Sequence, residues 1–233
     1  MIENVVDGKH TEILPNGIAV IRGDCGPGSW VYQTGRLDYD RGMLDFLVPH
    51  IKKDMAALDI GAFIGTHTFE YLKHATSVMS FEPNPAAFQC LSHNCPKATR
   101  LNVALGEKSM TKYWIRIVPN YGASYLSNEP EGDCLPVPVV SLDTIGILPE
   151  KIGYMKIDAE GEELFILRGA KQTILQHMPN MCMEINHASL ERTHTSAPEI
   201  YDLLESYGYE IKVIPGSEFG RQLDILATPK RGL

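Results

Sequence analysis

From Asp54 onward, short apolar runs alternate with amphipathic stretches. The runs at 55–60, 77–82, 99–104, 153–158 and 181–185 predict strands, and apolar positions at helical spacing predict helices over 65–75, 84–94, 161–177 and 197–207. Such alternation argues for a parallel sheet covered on both faces. Upstream, Met43, Leu44, Phe46, Leu47 and Ile51 recur at helical spacing within 38–53. Residues 11–24 read as two short strands around an Asn16-Gly17 turn, followed by a Gly-rich loop. The rhythm breaks between Gly106 and Asp143, where 112–118 and 137–141 read as extra strands separated by a Gly/Ser/Asn-rich segment, 119–133. The stretches 209–214 and 224–228 read as a closing antiparallel pair.

The fold class this predicts is α/β and Rossmann-like. It has a seven-stranded, mostly parallel sheet with a C-terminal antiparallel hairpin, helices on both faces, an N-terminal β-hairpin and a β insertion near 107–141. At 233 residues the chain fits one domain, 1–37 being a hairpin extension and 38–233 the core. The net charge of −8 argues against a nucleic-acid partner, whose affinity rests on phosphates neutralised by Lys and Arg. The five cysteines are scattered without a Cys-x-x-Cys pair, so neither a disulfide framework nor a thiolate zinc site is favoured. Cys90, His93 and Cys95 read as a helix face rather than a metal site. No apolar run approaches the ~20 residues of a membrane span, and Met1–Gly8 lacks the regions of a signal peptide. A cytoplasmic location is the expectation, and oligomeric state is not readable.

The chemistry starts at the strand tips. Ala56 to Thr68 reads as a buried strand that ends in Asp59, turns on Gly61 and Gly65 and opens a helix. The next apolar run ends in Glu82, and the third ends near Asn102. In doubly wound sheets ligands bind beyond the carboxyl ends of the strands. Glycine permits close backbone approach there, an acid at the second tip suits ribose hydroxyls, and Asn102 suits an adenine edge. A nucleoside with a cationic, amino-acid tail fits this pattern, which points to S-adenosyl-L-methionine. The expected cofactor set is Asp59, Gly61, Ala62, Phe63, Gly65, Thr66, Glu82, Pro83, Asn102, Val103, Ala104 and Asp158. A nicotinamide dehydrogenase would carry Gly-x-Gly-x-x-Gly, which is absent.

A second group gathers at Lys156-Ile-Asp-Ala-Glu-Gly161. Strand alternation sends Lys156 and Asp158 to one face, with Glu160 close by and Glu184, Asn186 and His187 at the neighbouring strand end. Acids crowded together raise one another's pKa and can supply a general base, and His187 is an alternative. A divalent cation, Mg or Mn, among Asp158, Glu160, Glu184 and Asn186 is a further option for an all-oxygen set. Glu163 reads as a helix-start acid and Asp143 as a fastening residue. Asn120–Leu126, with Ser124 and two tyrosines, is a candidate cover, and Tyr39 and Asp40 a second closure.

Asp59-Ile-Gly-Ala62, Glu82-Pro-Asn-Pro85, Asn102-Val-Ala-Leu-Gly106, Val140-Ser-Leu-Asp143 and Lys156-Ile-Asp-Ala-Glu-Gly161 occur in that order, followed by Glu163, Leu167-Arg-Gly-Ala170 and Met183-Glu-Ile185. Over roughly residues 40–215 the chain resembles the FkbM family of S-adenosylmethionine-dependent methyltransferases. The resemblance implies the class I methyltransferase fold and, usually, O-methylation of a hydroxyl on a sugar, glycan or small metabolite. One departure is Phe63, where the family commonly has Asn. A nucleic-acid 2′-hydroxyl methyltransferase and a non-catalytic cofactor-binding module are the competing readings.

Overall fold

The computed structural model describes residues 10–230, so the Met1–Gly8 segment read above lies outside the described residues. A hairpin of β1 (Thr11–Ile13) and β2 (Ala19–Ile21) opens the chain, turning at Gly17 with positive φ. The supposed Gly-rich loop that follows contains a helix, α1 (Pro27–Thr34). Glycines 26 and 28 hide it in the sequence, but Pro27 pre-sets the first turn and the Asp24 carboxylate takes the Gly28 amide at 2.8 Å. Next come α2 (Arg41–Leu47), β3 (Ala56–Ile60), α3 (Thr66–Tyr71), β4 (Val78–Phe81), α4 (Pro85–Asn94) and β5 (Thr99–Leu101). The insertion holds β6 (Ala104–Leu105), β7 (Met110–Ile115), β8 (Tyr125–Ser127) and β9 (Cys134–Val140). The core resumes with β10 (Ile152–Ile157), α5 (Glu163–Gly169), α6 (Lys171–His177), β11 (Asn180–Asn186), α7 (His187–Arg192), α8 (Ala197–Ser206), β12 (Tyr209–Val213) and β13 (Gln222–Pro229).

The main sheet has seven strands in the order β12-β13-β11-β10-β3-β4-β5. It is parallel apart from β13, which runs antiparallel to β11 and β12. Its strands are buried on both faces, as near-continuous apolar runs require. Leu58, Ile60, Phe81, Met155, Ile157 and Met183 meet α5, α6 and α8 on one side. Ala57, Val78, Tyr154 and Cys182 meet Leu44 and Leu47 of α2, Tyr71 of α3 and Leu91 of α4 on the other. The β1–β2 hairpin docks on α4, with Ala19, Val20 and Ile21 packing against Ala87 and Cys90.

Three boundaries differ from the sequence reading. The run at 99–104 divides, because Asn102 turns the chain out of the main sheet and β6 pairs with β9 instead. The insertion therefore builds its own sheet, β6-β9-β7-β8, around Trp114, Leu126, Val137 and Val139. The single helix expected at 161–177 is two, broken at Ala170. There Gly169 presses on the Gly106 carbonyl, Ser141 Oγ donates to the Gly169 carbonyl at 2.7 Å, and Asp143 takes the amides of Gln172 and Thr173. The Ser-Leu-Asp and Arg-Gly-Ala motifs thus form one corner joining the helices to the insertion. Asn186 starts α7, which the periodicity missed, by accepting from the Ala188 and Ser189 amides.

A methyl group at residue 169 would stand 2.0 Å from the Gly106 carbonyl oxygen. Gly169→Ala is expected to lower stability by about 1–3 kcal/mol through overpacking. Urea denaturation would show this, and an unchanged midpoint would mean the corner relaxes freely.

Candidate cofactor cleft and acid cluster

The tips of β3, β4 and β10 open into a cleft lined by both polar and apolar side chains. Two loops form its floor. Gly61 (φ +80) lies so close to β10 that a Cβ would meet the Asp158 carbonyl at 1.8 Å. The amides of Gly61 and Ala62 both donate to the Phe81 carbonyl, and the Asp158 amide donates to the Ile60 carbonyl. This locks the glycine turn to its neighbouring strand ends.

Glu82 is buried on the cleft wall. Its Oε2 takes the Phe63 amide and its Oε1 the Asn84 amide, each at 2.8 Å. Burial pushes its pKa up to about 7 despite those bonds, with Asp59 and Asp158 adding repulsion. Phe63 adopts φ +48, a left-handed conformation costing a bulky residue about 1–3 kcal/mol. Asn tolerates that region better than an aromatic residue does, which gives the family's usual choice at this position a physical basis.

The acid loop is strained as well. Glu160 has φ +53 and Gly161 φ +108. Glu163, read as a helix-start acid, stands in the first turn of α5, and it is also a buried brace that accepts the amides of Ala159 and Gly161 at 3.0 and 3.2 Å. Lys156 Nζ donates to Asp158 Oδ2 at 2.9 Å. Burial opposes its charge, but Asp158 and Asp59 outweigh burial and raise its pKa above the ordinary lysine value. Glu160 Oε2 accepts from Ser189 Oγ at 2.9 Å, and burial with the Asp158 charge lifts the carboxyl to about 7. Glu184 accepts from Gln222 at 2.8 Å, and burial beside Asp158 and Glu160 pushes it well above the carboxylate range. Asp224, opposite Glu184 in register, is raised to about 7 mainly by burial.

Of the residues expected to hold cofactor, Gly61, Ala62, Phe63, Thr66, Glu82, Pro83, Val103, Ala104 and Asp158 line the cleft, as do Lys156 and Glu160. Asp59, Gly65 and Asn102 do not. Strand alternation turns the Asp59 side chain onto the sheet face, where Oδ2 accepts from Thr68 Oγ1 at 2.5 Å and Lys156 is its register partner. Gly65 precedes α3 against Cys95 and Leu91. Asn102 spends its amide group on the Glu82 and Pro83 carbonyls. Glu184 and His187 are also outside the lining. Oxygens of Asp158, Glu160 and Glu184 lie within 4.8 Å of one another, whereas Asn186, the fourth residue of the cation option, caps α7.

Tyr121, Ser124, Tyr125 and Leu126 of the expected cover line the cleft, and so does Tyr39. Asp24 ties that cover to α1 by accepting the Tyr121 amide at 3.1 Å. Among the lining residues that the sequence did not point to are His67, Asn84, Trp114 and Glu162. Burial and the nearby Lys156 ammonium hold the His67 imidazole well below its ordinary pKa, so it is neutral. His67 falls inside the helix expected over 65–75, and the other three sit in turns or in the insertion, where periodicity carries no site information. Among the described residues, no helix is long and apolar enough to cross a membrane.

A family model described as Methyltransferase FkbM domain matches residues 59–211. No curated protein matches the chain. Among solved structures, methyltransferase FkbM from Methylobacillus flagellatus aligns with TM-score 0.50 and 19% identity, over 76% of this chain and 44% of that one. The chain thus spans less than half of that protein's length. An rRNA methylase from Streptococcus thermophilus aligns with TM-score 0.51 and 10% identity, over 81% and 94% of the two chains. SMU.1697c of Streptococcus mutans, in complex with SAH (S-adenosylhomocysteine), gives 0.50 and 9%, over 81% and 96%. Identities this low speak for the fold alone. The family match spans most of the chain, and the chain belongs to the FkbM family of S-adenosylmethionine-dependent methyltransferases.

Proposed function

We propose that this chain transfers a methyl group from S-adenosylmethionine to a hydroxyl of a sugar, glycan or small metabolite. One observation carries the reading: a single cleft joins the buried Glu82 carboxylate to the Asp158 and Glu160 carboxylates. Its wall also suits a nucleoside, since two buried polar atoms on lining residues, Asn84 Nδ2 and Glu162 Oε2, have no hydrogen-bond partner within the protein. When bound, the cofactor supplies an electrophilic methyl on a positively charged sulfur.

In this reading Glu82 accepts from the ribose hydroxyls, and the glycine turn gives the backbone close access. Asp158, one-third exposed and paired to Lys156, presents negative charge to the sulfonium end. Glu160, with a pKa near neutrality, takes the acceptor's hydroxyl proton. The Tyr121–Leu126 cover and Tyr39 hold the acceptor oxygen in line and exclude water. In this reading the Glu160 carboxylate itself accepts the proton, so the step is written without a cation. Turnover is expected to survive EDTA, and loss restored by Mg or Mn would reinstate the cation. A nucleic-acid acceptor fits less well, since the acid loop faces the cleft and Lys156 is buried and paired.

Calorimetry should show SAH binding, weakened at least ~30-fold, or about 2 kcal/mol, in Glu82→Ala. Ionised Glu82 is the better ribose acceptor, so wild-type affinity should also fall as pH drops below about 7. Unchanged affinity in the variant would remove Glu82 from the site. With labelled methyl donor and a cell extract as acceptor source, turnover should rise with pH through about 7 as Glu160 loses its proton. Glu160→Gln should lose roughly 10²-fold and flatten that limb. A variant keeping both rate and limb would move the base elsewhere.

A further inference from the structure

Glu162 lies just past the acid loop, where the cleft meets the insertion sheet, and is 1% exposed. Its Oε1 accepts from Lys112 Nζ at 2.5 Å, a buried ion pair that ties β7 to the core. Its Oε2 is buried and has no hydrogen-bond partner within the protein. A buried acceptor left unpaired forfeits its hydration for nothing, so such positions ask for a donor from elsewhere. Burial raises the Glu162 carboxyl above its ordinary pKa, with the Lys112 ammonium opposing it. Because Lys112, itself buried and set against the Phe165 ring, occupies Oε1, the acceptor left over is Oε2.

The surrounding wall narrows the choice of donor. Val103, Leu105, Trp114, Leu126 and Ile166 line the same cleft, an apolar and partly aromatic setting. Hydrated sugars or a charged tail would lose solvation there without return. A flat apolar ring bearing an N–H on its edge satisfies both features at once. The cofactor of the proposed reaction has one such part, adenine with its 6-amino group. Pro83 and Ala104, beside the ribose acid Glu82, line the cleft with these residues.

We propose that Glu162 is the residue that reads the adenine 6-amino group, with Trp114 packing on the ring, so that the insertion sheet sets cofactor specificity. This rests on the reading of the cleft as an S-adenosylmethionine site. Glu162 is a binding residue here and takes no part in methyl transfer. The Lys112 pair gives its carboxylate a fixed orientation and couples the insertion to cofactor capture.

The test is a pair of titrations, with SAH and with S-inosylhomocysteine, which carries a 6-oxo acceptor in place of the amine. Wild-type protein should prefer SAH by about tenfold or more, the worth of one lost hydrogen bond plus an unpaired carboxylate. Glu162→Gln keeps the carbonyl toward Lys112 and can turn an amide N–H2 to the ring. Its affinity for SAH should fall about tenfold while that for the inosyl compound rises, erasing the preference. Trp114 fluorescence in a Trp30→Phe background, which leaves one tryptophan, should be quenched by both ligands. Equal wild-type affinities would overturn the assignment, as would a preference that persists in Glu162→Gln. Should that variant fail to fold, Glu162→Asp, which keeps the charge but draws the carboxylate back by one methylene, should lose the preference in its place, and retention of the preference there would overturn the assignment. If neither ligand binds wild-type protein, the cofactor reading itself falls.

Discussion

The buried ammonium of Lys156 is the interaction on which the rest of the site depends. It sits where the sheet carries Asp59 on the adjacent strand and Asp158 at its own strand's end. Glu160, Glu184 and Asp224 crowd the same rim, each raised by burial first and by Asp158 among its causes. Several carboxylates in a low-dielectric pocket cannot all ionise without a counter-charge. Lys156 provides it from below, allowing Asp158 to stand at the cleft paired yet one-third exposed. Asp59, which reads as a cofactor contact in sequence, belongs to this support.

The fold accepts local strain to hold that arrangement. Phe63 and Glu160 are both non-glycine residues in left-handed backbone, and they stand on the two loops that flank the cleft. Neither conformation would persist unless its surroundings over-determined it. For Phe63 the determinant is the hydrogen bond its backbone N–H donates to the Glu82 carboxylate, and for Glu160 the Glu163 brace on either side, at Ala159 and Gly161. Strain and buried acid thus coincide on the same loops. Glu82, Glu163 and Asp224 take up protons more readily folded than unfolded, so their contribution to stability is full below the ordinary carboxylate range and lost as pH rises through about 7. At neutral pH the cleft is carried at some cost to the fold.

Much of the architecture is legible in the sequence because its signals are local. Short apolar runs and period-3.6 patterns mark the main-sheet strands and the helices between them, and Asn16-Gly17 marks the first turn. The misreadings arise where tertiary contact overrides pattern. No local signal divides α5 from α6, since the break is set by the Gly106 carbonyl and the Asp143 cap. In the site, backbone-led features were readable: Gly61, Glu82 and Asp158 follow from strand tips. Side-chain facing was not. A shift of one residue on a strand inverts the face, which is why Asp59 looks inward, and Asn102 is captured by carbonyls that no sequence pattern displays.

The insertion completes the site in a way the strand tips alone do not. In a doubly wound sheet the crossover after the third strand is ordinarily a helix. Here that crossover is built from β6 to β9 and contributes Trp114, Leu126 and the cover segment to the cleft wall. A separate small sheet could drift relative to the core, and three fastenings oppose this: the Lys112–Glu162 pair, the Ser141–Gly169 bond and the Asp24–Tyr121 bond. Each of them anchors the insertion at a motif or loop adjoining the cleft. The insertion's share of the cleft wall is therefore tied to the core at three places: beside the acid loop, at the α5–α6 corner and at the loop before α1.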